Sequence, residues 1–228
     1  MADGSPAAPS RRDPADDGPG LLALAAGLAA AGTAFSATFR GPREQFWARM
    51  TWTGAGLGSL ALLLSSRSRA VRLRPWHVPL GLLSAATLYL TFHVGDRFAR
   101  RFVPGGDEEI REIYALRTVR SRDEIAARLA TVIGPAEELF WRGLVQAALM
   151  RRFGRWRGAA LAAGAYGGVH LPSGNFTLFG AAGVAGAHWC ALYAAGAPLG
   201  VLIVSHVAWD IWIFLIQPTG EIEALAAS

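Results

Sequence analysis

The sequence predicts an all-α protein built as a polytopic bundle of membrane helices. Of its 228 residues, 52% are hydrophobic and only 17% are charged, whereas soluble domains carry roughly 25% charged residues. The apolar residues gather in stretches that are long enough, at about 1.5 Å per residue, to cross a hydrocarbon core of ~30 Å. A backbone in lipid must satisfy its own hydrogen bonds, and an α-helix does so within one segment.

The basic charge of the chain comes from Arg alone. All 22 basic residues are Arg, and the formal net charge is +5. These Arg residues stand in short clusters between apolar stretches rather than on one polar domain, so we expect no nucleic-acid partner. The single cysteine, Cys190, excludes an intramolecular disulfide and any CxxC motif.

Seven apolar segments are predicted to cross the membrane, and two tails flank them. Residues 1–20 are rich in Pro, Gly, Ala and Asp and are expected to form a disordered tail. A cleaved signal peptide is the alternative reading of the first segment. Two of these segments are expected to lie against protein rather than lipid. Segment 158–171 is short, and segment 131–150 contains three charges. The predicted spans are 21–39, 50–66, 76–95, 131–150, 158–171, 176–196 and 198–217.

The long connection, residues 96–129, is predicted to hold two amphipathic helices on the membrane surface. Asp107 is placed to cap the first helix, and Ser121 with Glu124 forms a capping box for the second. The sequence thus divides into N-terminal helices with this connection (21–130), a polar-bearing bundle (131–217) and a short tail (218–228). Arg residues are shared almost evenly between the two sides, so the positive-inside rule gives no orientation.

Ionisable residues inside the predicted spans point to function. Each charge at mid-bilayer costs about 2.5 to 3.5 kcal/mol if it is left unpaired. Residues four apart share a helix face, so Glu138 can pair with Arg142 and His206 with Asp210. Glu137 is less well placed for Arg142, which leaves this carboxylate freer for chemistry. The six residues are Glu137, Glu138, Arg142, His170, His206 and Asp210.

Small residues and one proline accompany these charges. Gly164 and Gly168 form a GxxxG pair beside His170, which predicts close helix packing there. A second predicted packing face holds Gly180, Gly183 and Gly186. Pro135 fits the first turn of a helix, where its missing N–H costs nothing.

Three motifs in these spans resemble those of one family. Residues 135–143, Pro-Ala-Glu-Glu-Leu-Phe-Trp-Arg-Gly, resemble the EExxxR motif of the CPBP family, the CAAX-protease and bacteriocin-processing proteins also called Abi. Tyr166 to His170 resembles its FxxxH motif, and His206 to Asp210 its HxxxN or HxxxD motif. The resemblance covers about residues 131–217, and the first 130 residues carry no family motif.

The resemblance implies an intramembrane endopeptidase of the glutamate type that uses neither a metal nor another cofactor. Glu137 and His170 would activate a water, His206 and Asp210 would stabilise the oxyanion, and a supporting set would hold the site. That set is Glu138, Arg142 and Tyr166. Its substrate at the membrane would be a protein with a C-terminal CAAX-like motif, a peptide leader or a C-terminal sorting tail. The implied location is a cell membrane, the inner membrane of a bacterium.

Two positions depart from the family pattern. Tyr166 stands where Phe is usual, which keeps the ring and adds a hydroxyl. Asp210 stands where many members have Asn, and an ionised Asp has no proton to donate. We expect Asp210 to be protonated in its apolar surroundings and to donate to the oxyanion; an ionised Asp210 that accepts from His206 is the alternative.

Other functions are compatible with the same residues. Glu137, His170 and His206 could supply the ligands of a zinc-dependent membrane peptidase, although HExxH is missing. A non-catalytic binding or immunity protein of the same fold is a further alternative. A proton-coupled transporter would be expected to contain inverted repeats, and the sequence has no detectable repeat. Three histidines and Cys190 are expected to be interfacial or packed; the histidines are His77, His93 and His188.

Overall fold

The computed structural model describes residues 19–219, and within this range the chain is helical apart from short connections and contains no β-strand. The predicted all-α class is therefore confirmed for the described residues. The tails expected at 1–20 and 218–228 lie outside these residues except for 19, 20, 218 and 219.

Four helical stretches are long and apolar enough to cross a membrane. They are α1 (Leu21–Phe39), α4 (His77–Phe102), α10 (Phe176–Ala195), and α11 (Leu199–Ile211) together with the π-helical Trp212–Ile216. Three other predicted spans are helical but do not meet that standard of length and hydropathy, so the count of seven is not confirmed. One of them is α2 (Phe46–Leu64), which is followed by the short α3 (Ser66–Arg69).

The second of the three is part of one continuous helical segment, residues 122–153, which we call the motif helix. It begins with α6 (Arg122–Arg128), where the Ser121 hydroxyl accepts from the Glu124 N–H at 3.2 Å as predicted. The surface helix expected here is thus the first part of the motif helix. It continues through π-helical Leu129–Ile133, α7 (Gly134–Glu138), π-helical Leu139–Gln146 and α8 (Ala147–Phe153).

Pro135 lies in the first turn of α7, as predicted, but α7 continues directly from the preceding π-helical turn, so Pro135 is also inside the motif helix. A proline inside a helix lacks the N–H for the ladder and crowds the carbonyl four residues earlier. The π-helical turn Leu129–Ile133 directly precedes α7. Its hydrogen bonds join residues five apart instead of four, so the hydrogen-bond pattern changes just before Pro135. The helix accommodates Pro135 in this way without ending.

The helices run alternately between two ends of the bundle. The motif helix packs against α2, α11 and α9 (Arg155–Gly168), and α9 in turn packs along α10. We call the end formed by residues 40–45, 103–121 and 170–175 the proximal end. The distal end comprises residues 65–76, 154 and 196–198. His170 follows α9 at the proximal end.

Close packing of α9 and α10 depends on glycines other than the predicted pair. A Cβ at Gly164 or Gly168 would meet nothing within 4 Å, whereas one at Gly167 would lie 3.2 Å from the Gly183 Cα. A Cβ at Gly186 would meet the Tyr166 ring at 2.8 Å. The predicted GxxxG face is therefore wrong, since α9 turns a neighbouring face toward α10. Gly186 leaves the space that Tyr166 fills.

The proximal surface helix α5 (Gly106–Ala115) begins two residues earlier than predicted. Its N-cap is Gly105, with a left-handed φ of 77°. Asp107 lies instead in the first turn and forms ion pairs with Arg100 and Arg111. Because α4 extends to Phe102, residues 96–102 belong to a long helix rather than to the connection.

Glu109 of α5 clamps this surface helix to the start of α10. Its carboxylate accepts from the backbone N–H of Phe176 at 3.0 Å and from the N–H and hydroxyl of Thr177 at 2.9 and 2.6 Å. Its carbonyl accepts from the Asn175 side-chain amide at 2.9 Å. The hydrogen bond from Thr177 lowers the pKa of Glu109 below its usual range, as expected for a carboxylate that satisfies the free N–H groups of a helix terminus.

The first prediction tests this clamp. Glu109→Gln should lower the melting temperature of the purified protein at neutral pH, with a loss of stability of about 1 kcal/mol, as for other helix caps. Because folding lowers the pKa of Glu109, its contribution is fully present above the ordinary pKa and is lost as the pH falls through the folded value. The melting curves of wild type and Glu109→Gln should therefore converge in acid. Glu112→Gln, an exposed neighbour on α5, is the control; an equal loss in both would contradict the clamp.

Candidate active site

Glu137 lies on the motif helix and is buried inside the bundle, with 4% of its surface exposed. The Tyr166 hydroxyl on α9 donates to its Oε2 at 2.9 Å. This is the hydroxyl that the family's usual Phe lacks. One oxygen of Glu137 is therefore anchored by α9, and the other carries no such anchor in the described residues.

The predicted pair of Glu138 and Arg142 is present and fully buried. Arg142 donates from Nη1 to Glu138 Oε1 at 2.8 Å. The guanidinium also lies over the rings of Tyr166 at 4.7 Å and Trp189 at 5.2 Å. A cation over an aromatic face is attracted by the ring quadrupole, more so where water is excluded. The two rings thus compensate the buried charge where hydrogen-bond partners are few.

Glu138 also orients His206 on α11. The Nδ1–H of His206 donates to Glu138 Oε1 at 2.7 Å, and the ring stacks on Trp189 at 4.0 Å between centroids. Its other nitrogen, Nε2, lies 3.6 Å from Asp210 Oδ2 and 4.0 Å from Glu137 Oε2. Nε2 therefore points into the space between two carboxyl groups.

His170 is buried at the proximal end of α9, one turn after Tyr166. Its Nδ1 lies 2.8 Å from the Tyr166 carbonyl oxygen. A carbonyl can only accept, so Nδ1 carries the proton and Nε2 of the neutral ring presents a lone pair. Phe35 and Phe39 of α1 contact the ring, with centroids at 5.2 and 5.6 Å. The tautomer that leaves Nε2 as an acceptor is thus set by the backbone of α9.

Several side chains that shape the site carry no sequence motif. Trp189 connects Arg142 with His206, and its Nε1 donates to the Ser205 hydroxyl at 3.0 Å. Phe35 lies in α1, where the sequence offers only a uniform apolar run. In the sequence Trp189 is only one large side chain among the many small residues of α10, which does not distinguish a site residue from ordinary packing.

The remaining predicted residues lie mainly in packed positions. His77 is buried with its ring against Gly200, and Cys190 is buried in the core. His188 Nε2 lies 3.0 Å from the Ser84 hydroxyl. Packing is therefore confirmed for His77 and Cys190.

The zinc alternative requires three ligands that converge on one point. Among residues 19–219, no group of three or more His, Cys, Asp or Glu side chains is arranged to hold a metal ion. The geometry of Glu137, His170 and His206 in the described chain therefore gives this alternative no support.

The segment that carries this site is similar to one protein family. Residues 125–212 match the family model described as type II CAAX prenyl endopeptidase Rce1-like. The matched segment is less than half of the chain and contains all three motifs. For this segment the match confirms the resemblance to the CPBP family. No curated protein and no solved structure matches the chain.

The second prediction concerns the buried ion pair. Arg142→Ala leaves Glu138 without its cationic partner, which should cost about 3 to 5 kcal/mol and lower both the yield and the melting temperature. Arg152→Ala is the matched control, because Arg152 lies on the same helix and is exposed; it should change stability by less than about 0.5 kcal/mol. An Arg142→Ala variant that melts like wild type yet is inactive would mean that Arg142 acts directly on substrate.

Proposed function

We propose that the chain is an intramembrane endopeptidase of the glutamate type, in which Glu137 and His170 activate a water. One observation carries this proposal: a buried carboxylate, anchored through a single oxygen, faces an oriented imidazole inside a bundle of apolar helices. The anchor is the Tyr166 hydroxyl on Glu137, and the imidazole is that of His206. A general base needs a proton-accepting oxygen held in place and kept from bulk water.

The hydrolysis begins with a water bound between Glu137 and His170. Glu137 takes a proton as the water oxygen bonds to the scissile carbonyl carbon, while the lone pair on His170 Nε2 orients the same water. The carbonyl oxygen becomes an oxyanion. The tetrahedral intermediate then loses the amine as the C–N bond breaks, and the proton held by Glu137 passes to the leaving nitrogen.

The oxyanion is stabilised by His206 and Asp210. With Nδ1–H donating to Glu138, Nε2 of His206 can donate to an oxyanion when the ring is cationic. Donors aimed at developing charge are strongest where water is excluded.

Charge balance within the buried cluster favours a protonated Asp210. Arg142 balances Glu138, and a cationic His206 balances an ionised Glu137. An ionised Asp210 would leave one uncompensated negative charge in a low-dielectric interior, which is costly. A protonated Asp210 instead adds a second donor 3.6 Å from His206 Nε2.

The substrate is a membrane-associated protein or peptide in the cell membrane, and the location is the inner membrane of a bacterium. Of the three substrate types that the family resemblance implies, the match to type II CAAX prenyl endopeptidases favours a C-terminal CAAX-like sequence over a leader peptide or a sorting tail. Comparison of membrane proteomes from cells with and without the chain would identify the substrate as an uncleaved precursor.

The third prediction tests the base. Glu137→Gln and His170→Ala should each abolish peptide cleavage by the reconstituted protein while the helical content and the elution volume remain those of wild type. The neutral amide keeps the shape of Glu137 and removes proton abstraction, a contribution worth about 10² to 10⁴ in rate.

Glu112→Gln, on the surface helix α5, is the control for the loss of a carboxylate and should cleave at the wild-type rate. If Glu137→Gln keeps more than about a tenth of wild-type activity, Glu137 is not the general base. Inactivity of every preparation, wild type included, toward all three substrate types would favour the non-catalytic binding or immunity role.

The fourth prediction separates the two states of Asp210. If Asp210 is a neutral donor, Asp210→Asn keeps a donor in place and should retain activity near neutral pH, while Asp210→Ala should lose about 10² to 10³ in kcat. The measurement is the pH–rate profile of both variants in the same vesicles. If both variants lose activity equally, Asp210 is ionised in the wild type and holds His206 as the cationic donor to the oxyanion.

A further inference from the structure

A cavity of about 750 Å³ opens at the distal end of the bundle, away from His170. It lies between the connection after α3, the junction of α8 with α9, and the turn between α10 and α11. Trp76, Tyr193 and Pro198 contribute to its wall, and Ala147 and Met150 of the motif helix form part of its floor. Five guanidinium side chains also line it: Arg67, Arg72, Arg74, Arg151 and Arg155.

The cavity has a strong excess of positive charge. No acidic side chain of the described residues lines it, and the segments 64–76, 150–157 and 195–200 contain no Asp or Glu. Arg72 donates to the backbone carbonyls of Arg69 and Val71 at 3.2 and 3.0 Å. These acceptors hold its side chain in place and leave its charge uncompensated. The chemistry therefore favours a compact anion with several acceptor oxygens, and phosphate groups suit guanidinium donors best.

The side chains around the cavity are of the kinds found where a membrane helix meets lipid headgroups. Trp76, at its rim, is 46% exposed, and aromatic residues of this kind mark the membrane–water interface. From the rim, the first turns of α4 present exposed apolar side chains, among them Leu80 and Leu83. α4 is one of the helices long and apolar enough to span a membrane. A phosphate in the cavity would thus have acyl chains alongside the apolar face of α4.

We propose that this cavity binds the phosphodiester headgroup of an anionic phospholipid. Basic pockets between membrane helices recognise such headgroups by several Arg contacts at once. The site is separate from the proposed catalytic cluster, and it holds whether or not the chain cleaves peptides.

The test is the melting temperature of the purified full-length protein in an uncharged detergent, titrated with dioleoyl phosphatidylglycerol, with dioleoyl phosphatidylcholine or with inorganic phosphate. We expect phosphatidylglycerol to raise the melting temperature in a saturable manner and phosphatidylcholine to have no such effect, because a ligand that binds the folded state stabilises it. A rise with inorganic phosphate as large as that with phosphatidylglycerol would overturn the lipid assignment in favour of a soluble phosphate ligand.

Two double variants locate the site. Arg74→Gln with Arg155→Gln removes two cavity charges and should weaken the apparent affinity for phosphatidylglycerol roughly twenty- to thirtyfold, at about 1 kcal/mol per Arg. Arg152→Gln with Arg157→Gln removes the same charge from the same end outside the cavity and should leave the affinity unchanged. Equal effects of the two double variants, or no effect of the first, would overturn the proposal.

The same titration also shows whether a variant is folded. Each variant must melt like wild type in phosphatidylcholine before its affinity is compared. Should the cavity double variant melt lower, the single variants Arg74→Gln and Arg155→Gln replace it, each with an expected loss of roughly fivefold. Single variants that bind like wild type would overturn the proposal as well.

Discussion

The site depends on one buried carboxylate oxygen, Oε1 of Glu138. It accepts a hydrogen bond from Arg142 on its own helix and another from His206 on α11. This oxygen therefore joins the motif helix to α11, and it pairs the buried charge of Glu138 with that of Arg142. The positions of Arg142 and His206 follow from that junction. Arg142 is held beneath the rings of Tyr166 and Trp189, and the fixed ring of His206 directs Nε2 toward Glu137. Glu138, to which the family resemblance gives a supporting role, therefore sets the positions of Arg142 and His206.

The sequence predicts this cluster well because helical spacing is short-range information. Residues four apart share a face whatever the tertiary structure, and the pair Glu138–Arg142 is found as expected. The hydrogen bond from Tyr166 to Glu137 could not be predicted in this way, because it joins two helices and depends on their rotation. The same rotation explains the wrong glycine face, since Gly167 rather than Gly164 meets α10.

The apolar segments predict which parts of the chain are helical, but they predict the first and last residues of the helices less well. The bounds of α1 agree with the predicted span, where apolar residues stop abruptly at Arg40. The motif helix instead begins at residue 122, well before the apolar run, because a helix continues through polar sequence when its start is capped by Ser121 and its first turns pack on α2. Pro135 lies in the first turn of α7 as predicted, and the π-helical turn ahead of it shows why the helix does not have to begin there.

The contact of α1 with His170 has an evolutionary implication. Phe35 and Phe39 form part of the wall around this imidazole, yet α1 lies wholly outside the segment that matches the family model. The surroundings of His170 are thus assembled from two parts of the sequence, the segment that carries the motifs and a helix that lies outside it. Substitutions at Phe35 or Phe39 would change the packing around this imidazole and leave all three motifs unchanged, which under the proposed function offers a mutational route to a new substrate preference.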